Sequence, residues 1–229
     1  MSASDPTFSG PVVPAGAAKR PERSRLEGTT VAIEPLNAAE HGDSFWRLAG
    51  GEPNEELWRF MNNGPFPDRA SFDLYLRDKA ASEDPLYSAI VNRATGEATG
   101  HAAYLRIEPA QRVIEIGAIV YTAELRKTRG ATEAMYLMAR HAFEELGYRR
   151  YEWKCNVLNE ASERAAKRLG FTFEGIFRQH MIVKGRSRDT AWFAMLDSEW
   201  PLRKKEFERW LAEDNFDGTG RQKTRLSHI

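Results

Sequence analysis

Apolar residues alternate or run together in some stretches of this chain and recur every three or four positions in others, and the switch between the two patterns marks out its elements. The first strand pattern is Thr30–Pro35. A helical pattern follows over Asn37–Ala49, with Asn37 placed to cap it. Gly50–Pro67 reads as a loop that carries Trp58, Phe60 and Phe66, and Asp68–Ala81 as a second helix capped by Asp68. Three strands come next, Leu86–Asn92, Ala98–Ile107 and Val113–Thr122, with turns at Arg93–Glu97 and Glu108–Arg112. Helix Ala131–Leu146, strand Arg150–Asn156 and helix Asn159–Leu169 follow, the last stopped by Gly170. Phe173–Val183 and Arg188–Leu196 form a hairpin about KGRS. Trp200–Ala212 is an amphipathic helix with Trp200, Phe207, Trp210 and Leu211 as its apolar positions. The order β-α-α-β-β-β-α-β-α-β-β plus a C-terminal helix describes one α+β domain over residues 25–213. Residues 1–24, rich in Pro, Ala, Gly and Ser, are expected to be disordered, and 214–229 to form a polar, frayed tail.

The stretch Val113–Gly147 organises the rest. Glu115 stands among Val113, Ile114, Ile116, Ile119 and Val120, the pattern of a strand buried on both faces. Ala134, Leu137, Met138, Ala142, Phe143 and Leu146 give the helical half. Between them lies the basic turn LRKTRGAT. A strand that feeds such a turn into a helix N-terminus suits an anion, because the first-turn N–H groups lack partners and the macrodipole favours negative charge there. Arg126, Lys127 and Arg129 add formal charge, and a pyrophosphate cradle is the expectation.

Composition narrows the classes. The chain has 229 residues, 41% of them hydrophobic, enough for one sizeable core. Lys+Arg and Asp+Glu balance at 33 each, so charge gives no argument for nucleic acid or a membrane surface. No apolar run approaches the roughly 20 residues of a membrane helix, and the N-terminus lacks the apolar core of a secretory signal. The lone Cys155 permits no internal disulfide, and a cytoplasmic setting is expected. The five histidines show no metal-binding spacing, so no metal is expected.

The element order, with a charged turn between the fourth strand and third helix, resembles the GNAT superfamily of acetyl-CoA-dependent N-acetyltransferases. The local matches are TEA at Thr132–Ala134, AFEELGYRR at Ala142–Arg150, N-x-x-S at Asn159–Ser162, LGF-x-x-EG at Leu169–Gly175, and RD at Arg188–Asp189. They are closest to the RimJ/RimL-like branch, the ribosomal-protein N-terminal acetyltransferases. The resemblance implies a central mixed, mostly antiparallel sheet flanked by helices, with acetyl-CoA as cosubstrate. The family loop Q/R-x-x-G-x-G/A falls on Arg126, Lys127, Thr128, Arg129, Gly130 and Ala131. Arg129 replaces the inner glycine, and its side chain either crowds the loop or swings out to clasp a phosphate.

The same resemblance implies roles for other residues. Glu115 would be the base that accepts the amine proton; the alternative is an ion pair with Arg106 on a neighbouring strand. Backbone groups of Ile119, Val120 and Tyr121 would hold the pantetheine where a bulge splays two strands. The usual tyrosine acid is absent, its place taken by Ala166. Ser162 is the replacement, unless it merely belongs to the first helical turn. Asn159 would contact the pantetheine, cap the helix, or both. Trp58, Phe60, Phe66, Tyr104 and His180 are nominated for the acceptor site, against a core reading of the aromatics.

These readings converge on direct acetyl transfer to a primary amine, a small molecule or a protein N-terminus, by a monomer or homodimer. The alternative is a non-catalytic acyl-CoA-binding or regulatory domain with the same fold, and a fainter one a protein-interaction module using the Trp200–Ala212 helix.

Overall fold

The computed structural model describes residues 10–226. Two short strands, β1 (Leu26–Glu27) and β2 (Val31–Pro35), precede helix α1 (Ala38–Ala49), a 3-10 turn at Glu52–Trp58, and α2 (Arg69–Ala81). The Asn37 side chain accepts from the N–H groups of Ala39 and Glu40, and Asp68 from Ser71, so both expected caps form. Strands β3 (Leu86–Asn92), β4 (Ala98–Glu108) and β5 (Val113–Tyr121) lead into α3 (Arg129–Arg140), whose last turn widens into a π-helical segment, His141–Glu145. Then come β6 (Arg150–Asn156), α4 (Glu160–Arg168), the hairpin β7 (Thr172–Val183) and β8 (Arg186–Leu196), and α5 (Trp200–Leu211). The expected elements are all present within a few residues; β1, the 3-10 turn and a second such turn at Glu213–Asn215 are additions.

One eight-stranded sheet runs β1-β2-β3-β4-β5-β6-β8-β7. Every neighbouring pair is antiparallel except β5 and β6. Strand periodicity sends alternate residues to opposite faces. Ala89, Val91, Ala103 and Val120 meet Phe45, Phe72, Tyr75 and Leu76 of α1 and α2 on one face. Ile90, Ala102, Ile114, Ile116, Tyr151 and Phe193 meet α3 and α5 on the other. The flanking segments also touch this core. Ala18 is buried and donates its N–H to the Pro109 carbonyl at 3.0 Å. Beyond α5, Leu226 is buried and Phe216 packs edge-on to Trp210 at 5.1 Å. Residues 1–9 and 227–229 of the expected disordered and frayed tails lie outside the described residues.

His101 lies on β4 within the α1–α2 layer, fully buried, with Nε2 2.8 Å from the Tyr75 hydroxyl. Burial lowers its imidazole to about 4. The unfolded chain binds a proton near pH 6.5 that the folded protein refuses. Stability is therefore expected to fall as pH drops from 6.5 towards 4, by up to about 3 kcal/mol from this group. Urea unfolding across that range should show a shallower loss for His101→Gln; an equally steep loss would contradict the assignment.

Candidate active site

The site is set by where two parallel strands part. β5 and β6 pair only at Val113↔Arg150, Ile114↔Tyr151 and Glu115↔Glu152. Beyond that point β6 continues along β8 to Asn156, while β5 continues along β4 to Tyr121. The cause is local. Gly117 pairs with Ala103 and Val120 with His101, so Ala118 and Ile119 together oppose Ala102. This is a bulge, and Ala118 takes φ +47°. The bulge bends β5 away and leaves backbone groups of Ile119–Tyr121 along one side of a wedge-shaped gap. Glu115 stands at the last paired position, the apex of the wedge.

Glu115 is buried and faces Glu152 across the strand pair. Two carboxylates so placed need cations. Lys154 Nζ is 2.8 Å from Glu115 Oε2, a close ion pair. Arg106 Nε lies 4.0 Å from Glu115 and 3.9 Å from Glu152. Arg150 reaches Glu152 at 2.7 Å and grips Glu174 through two bonds of 2.8 and 2.5 Å. The expected Arg106 partner is thus the distant one, and Lys154 is the close one. Burial pushes the Glu115 carboxyl up, Lys154 and Arg106 pull it back, Glu152 adds to the rise, and the net shift is upward. A carboxylate with a raised pKa at the apex of this gap is suited to accept a proton from an amine.

On the α3 face of the gap, Ser162 Oγ accepts from Trp153 Nε1 at 3.0 Å and also contacts the Cys155 thiol. Asn159 caps α4 by accepting from the Ser162 N–H at 3.1 Å. The capping reading of Asn159 and the first-turn reading of Ser162 are what the structure shows. Arg164 and Lys167 pair along the helix with Glu160 and Glu163, a solvated face.

The basic turn holds its shape through N–H groups of Leu125 and Arg126 donated to the Thr122 carbonyl. Thr128 caps α3 and accepts from the Ala131 N–H at 3.2 Å. Lys127 takes φ +60°, and Arg126 donates to the Tyr121 carbonyl at 3.0 Å. Arg129 neither crowds the loop nor turns into it. Its guanidinium donates to the Leu211 carbonyl and lies 4.9 Å over the Phe216 ring. Gly130 has a packing reason: a Cβ there would sit 2.7 Å from Val31 Cγ1. Glu133 of the TEA run accepts N–H bonds from Thr29, Thr30 and Val31 at 2.7, 2.7 and 3.1 Å, which fixes the start of α3 against the β1–β2 turn.

The acceptor nominations divide. Trp58 is a core residue; its Nε1 donates to the Ala49 carbonyl, and Phe66 packs on it at 4.9 Å. Tyr104 is a correction of another kind, because β4 turns it to the α3 face, where its hydroxyl donates to the Met138 carbonyl at 2.7 Å. Sequence alone did not separate the faces of β4, since apolar residues line both. Phe60 is half-buried beneath Arg59. His180 lies on β7 beside β8, with Nδ1 3.0 Å from Thr190 Oγ1 and its ring 5.8 Å from Trp192. Burial and the charges of Lys154, Arg188 and Arg106 hold its imidazole below the ordinary range. Trp192 forms the floor, with Lys154 Nζ at 4.9 Å and Arg106 Cζ at 5.2 Å from its ring. Lys184 at the hairpin tip donates to the Trp58 carbonyl at 2.8 Å and ties the hairpin to the 3-10 turn. Sequence reasoning did not single out Glu152, Lys154 or Trp192, although Arg150, Glu152 and Lys154 alternate along one strand. No cluster of metal-ligating residues exists among the described residues, and none of their helices is long and apolar enough to cross a membrane.

Comparison with known proteins agrees with this fold. Residues 31–172 match the family model described as an acetyltransferase (GNAT) domain. The solved structure of a GCN5-related N-acetyltransferase from Brucella melitensis is 47% identical over 92% of this chain and 95% of that one, with a TM-score of 0.89. A probable GNAT-family acetyltransferase from Chromobacterium violaceum is 38% identical, over 84% of this chain and 100% of its own, with a TM-score of 0.75. RimL, a ribosomal L7/L12 alpha-N-protein acetyltransferase, shares the fold at 18% identity, over 81% of this chain and 99% of its own, with a TM-score of 0.65. A search of curated proteins finds no match. The chain belongs to the GNAT acetyltransferase family.

The charge balance at the apex yields a stability test. Lys154→Met leaves Glu115 and Glu152 with one cation fewer, at an expected cost of about 3 kcal/mol near neutral pH. Glu115 would then take up a proton more readily in the folded than in the unfolded protein. The deficit should accordingly shrink as pH falls towards the carboxylate range. Urea unfolding of both proteins at pH 7 and pH 5.5 reads this directly; a deficit that grows on acidification would contradict it.

Proposed function

We propose that this GNAT-family enzyme transfers the acetyl group of acetyl-CoA to a primary amine by direct attack in a ternary complex. The observation that carries the reading is the position of Glu115, an ionisable carboxyl with a raised pKa at the apex of the β5–β6 gap. The gap suits an extended pantetheine arm, with the backbone of Ile119, Val120 and Tyr121 on one side and Asn159 on the other. The turn Arg126–Ala131, at the N-terminus of α3, suits the pyrophosphate. Acetyltransferases of this family use acetyl-CoA, and the wedge and the turn fit it.

The chemistry divides between the two faces of the sheet. The incoming amine nitrogen bonds to the acetyl carbonyl carbon, and the carbon–sulfur bond breaks. Glu115 accepts the proton that the nitrogen must lose and later releases it to solvent. In this reading Ser162, whose Oγ accepts from Trp153 Nε1, gives its hydroxyl proton to the departing sulfur and regains one from solvent. The acceptor enters from the cleft between the β7–β8 hairpin and the 3-10 turn. The local motifs support kinship with the RimJ/RimL-like branch, which does not by itself fix the acceptor. A base at the apex favours an enzyme over a non-catalytic acyl-CoA binder.

Glu115→Gln is expected to lower kcat by about 10²–10⁴-fold, while acetyl-CoA affinity by calorimetry stays within about twofold. In the unsubstituted protein, kcat/KM should fall on the acid side through a pKa above the ordinary carboxylate range, because the base must be ionised. A Glu115→Gln variant with unchanged kcat at every pH would remove Glu115 from this role.

A further inference from the structure

The cations around the cleft do not all have partners. Lys154 and Arg106 attend Glu115, and Arg150 attends Glu152 and Glu174. Arg188 is left over. It stands on β8 opposite Met181 of β7, and strand periodicity places it on the same face as Thr190 and Trp192. No hydrogen bond or ion pair to its guanidinium is found among the described residues, and its Nε is buried without a partner. The Trp192 indole N–H on the same strand is also buried without a partner, in a residue only 7% exposed. A guanidinium is charged at any working pH, and leaving it half-buried and unpaired is costly. Burial lowers the Arg188 pKa, and Cys155 and then Glu115 work against that shift, so Arg188 lies within electrostatic reach of both.

The missing anion therefore belongs to a ligand that lies beside the base. The pyrophosphate turn is not that place, because it follows the end of β5, whereas Arg188 stands on β8, across β6. A base and an unpaired arginine on one cleft match a molecule that carries an amine and an anion on adjacent atoms. The remaining wall is aromatic: Phe177 lies 4.9 Å and His180 5.8 Å from the Trp192 ring, and Phe177 is about half exposed at 54%. It suits an apolar side chain.

We infer that the acceptor is a free α-amino acid with an apolar or aromatic side chain, its carboxylate held by Arg188 and its amine delivered to Glu115. This rests on the acetyltransferase reading above and narrows its acceptor. A polypeptide N-terminus offers a neutral amide carbonyl where the carboxylate would lie, and a simple amine offers nothing. Both leave Arg188 unpaired, which is the basis of discrimination against them. Arg188 acts in binding, with no part in the proton transfers.

The test is steady-state release of CoA thiol from acetyl-CoA by the full chain. The acceptors are free L-amino acids, each paired with its decarboxylated amine and its carboxamide, together with short peptides. For at least one apolar or aromatic amino acid, kcat/KM should exceed that of its amine and its carboxamide by roughly 100-fold. Arg188→Met should collapse that ratio towards one with KM for acetyl-CoA unchanged, and Arg188→Lys should restore part of it. Thermal unfolding confirms that both variants are folded. Equal rates for amino acids and their amines, a preference for peptides, or a ratio that survives Arg188→Met would overturn the inference while leaving the acetyltransferase reading intact. Absence of turnover with every amine, together with absence of calorimetric acetyl-CoA binding, would overturn both.

Discussion

Two carboxylates side by side at the last paired position of β5 and β6 set the terms for the whole site. Glu115 and Glu152 occupy register partners on buried strands, and neither can stay ionised there unless cations reach them. Three do: Lys154 from the same strand as Glu152, Arg106 from β4, and Arg150 from the base of β6. The arrangement ties three strands, β4, β5 and β6, together at the point where the sheet must split. It also leaves the Glu115 carboxyl raised while still facing the cleft, because burial outweighs the attraction of its neighbours. Structural ion pair and candidate base are the same group. The two readings of Glu115 that the sequence left open do not exclude each other.

The second constraint lies at the start of α3. The helix must present its N-terminus at the open end of the gap and still pack tightly on β2. Glu133 satisfies the amides of the β1–β2 turn, and Gly130 lets the helix approach Val31 within a distance that a methyl group would forbid. Tyr121 completes the junction with a hydroxyl bond to the Ala131 carbonyl at 3.0 Å. The residues that look like a phosphate motif in the sequence therefore serve packing as much as ligand binding. This explains how Arg129 stands at a glycine position of the family pattern: the helix start is fixed by other contacts, and the arginine turns away to α5 and Phe216.

Much of the fold was legible because period and punctuation agree. Leu86–Asn92 and Arg150–Asn156 were expected with the bounds that the structure has, and Asn37 and Asp68 cap their helices as their position implies. The short β1 was not legible, since two residues carry no period. The site was legible where it depends on one residue of unusual kind in an apolar run, as with Glu115. It was not legible where it depends on which face a strand residue takes. Tyr104 went to the α3 side, and Lys154 and Trp192 came together only because β8 inserts between β6 and β7. Sequence order does not reveal that insertion, and with it the floor of the acceptor cleft.

The account depends on the β5–β6 gap being the place where the acyl-CoA lies. Amide hydrogen exchange of the full chain, with and without saturating acetyl-CoA, tests this most directly. Slowed exchange confined to Ile119–Tyr121, Lys127–Ala131 and the first turn of α4 is the predicted result. Protection that falls instead on α1, α2 and the strands beneath them, with β5 and the start of α3 unchanged, would contradict it.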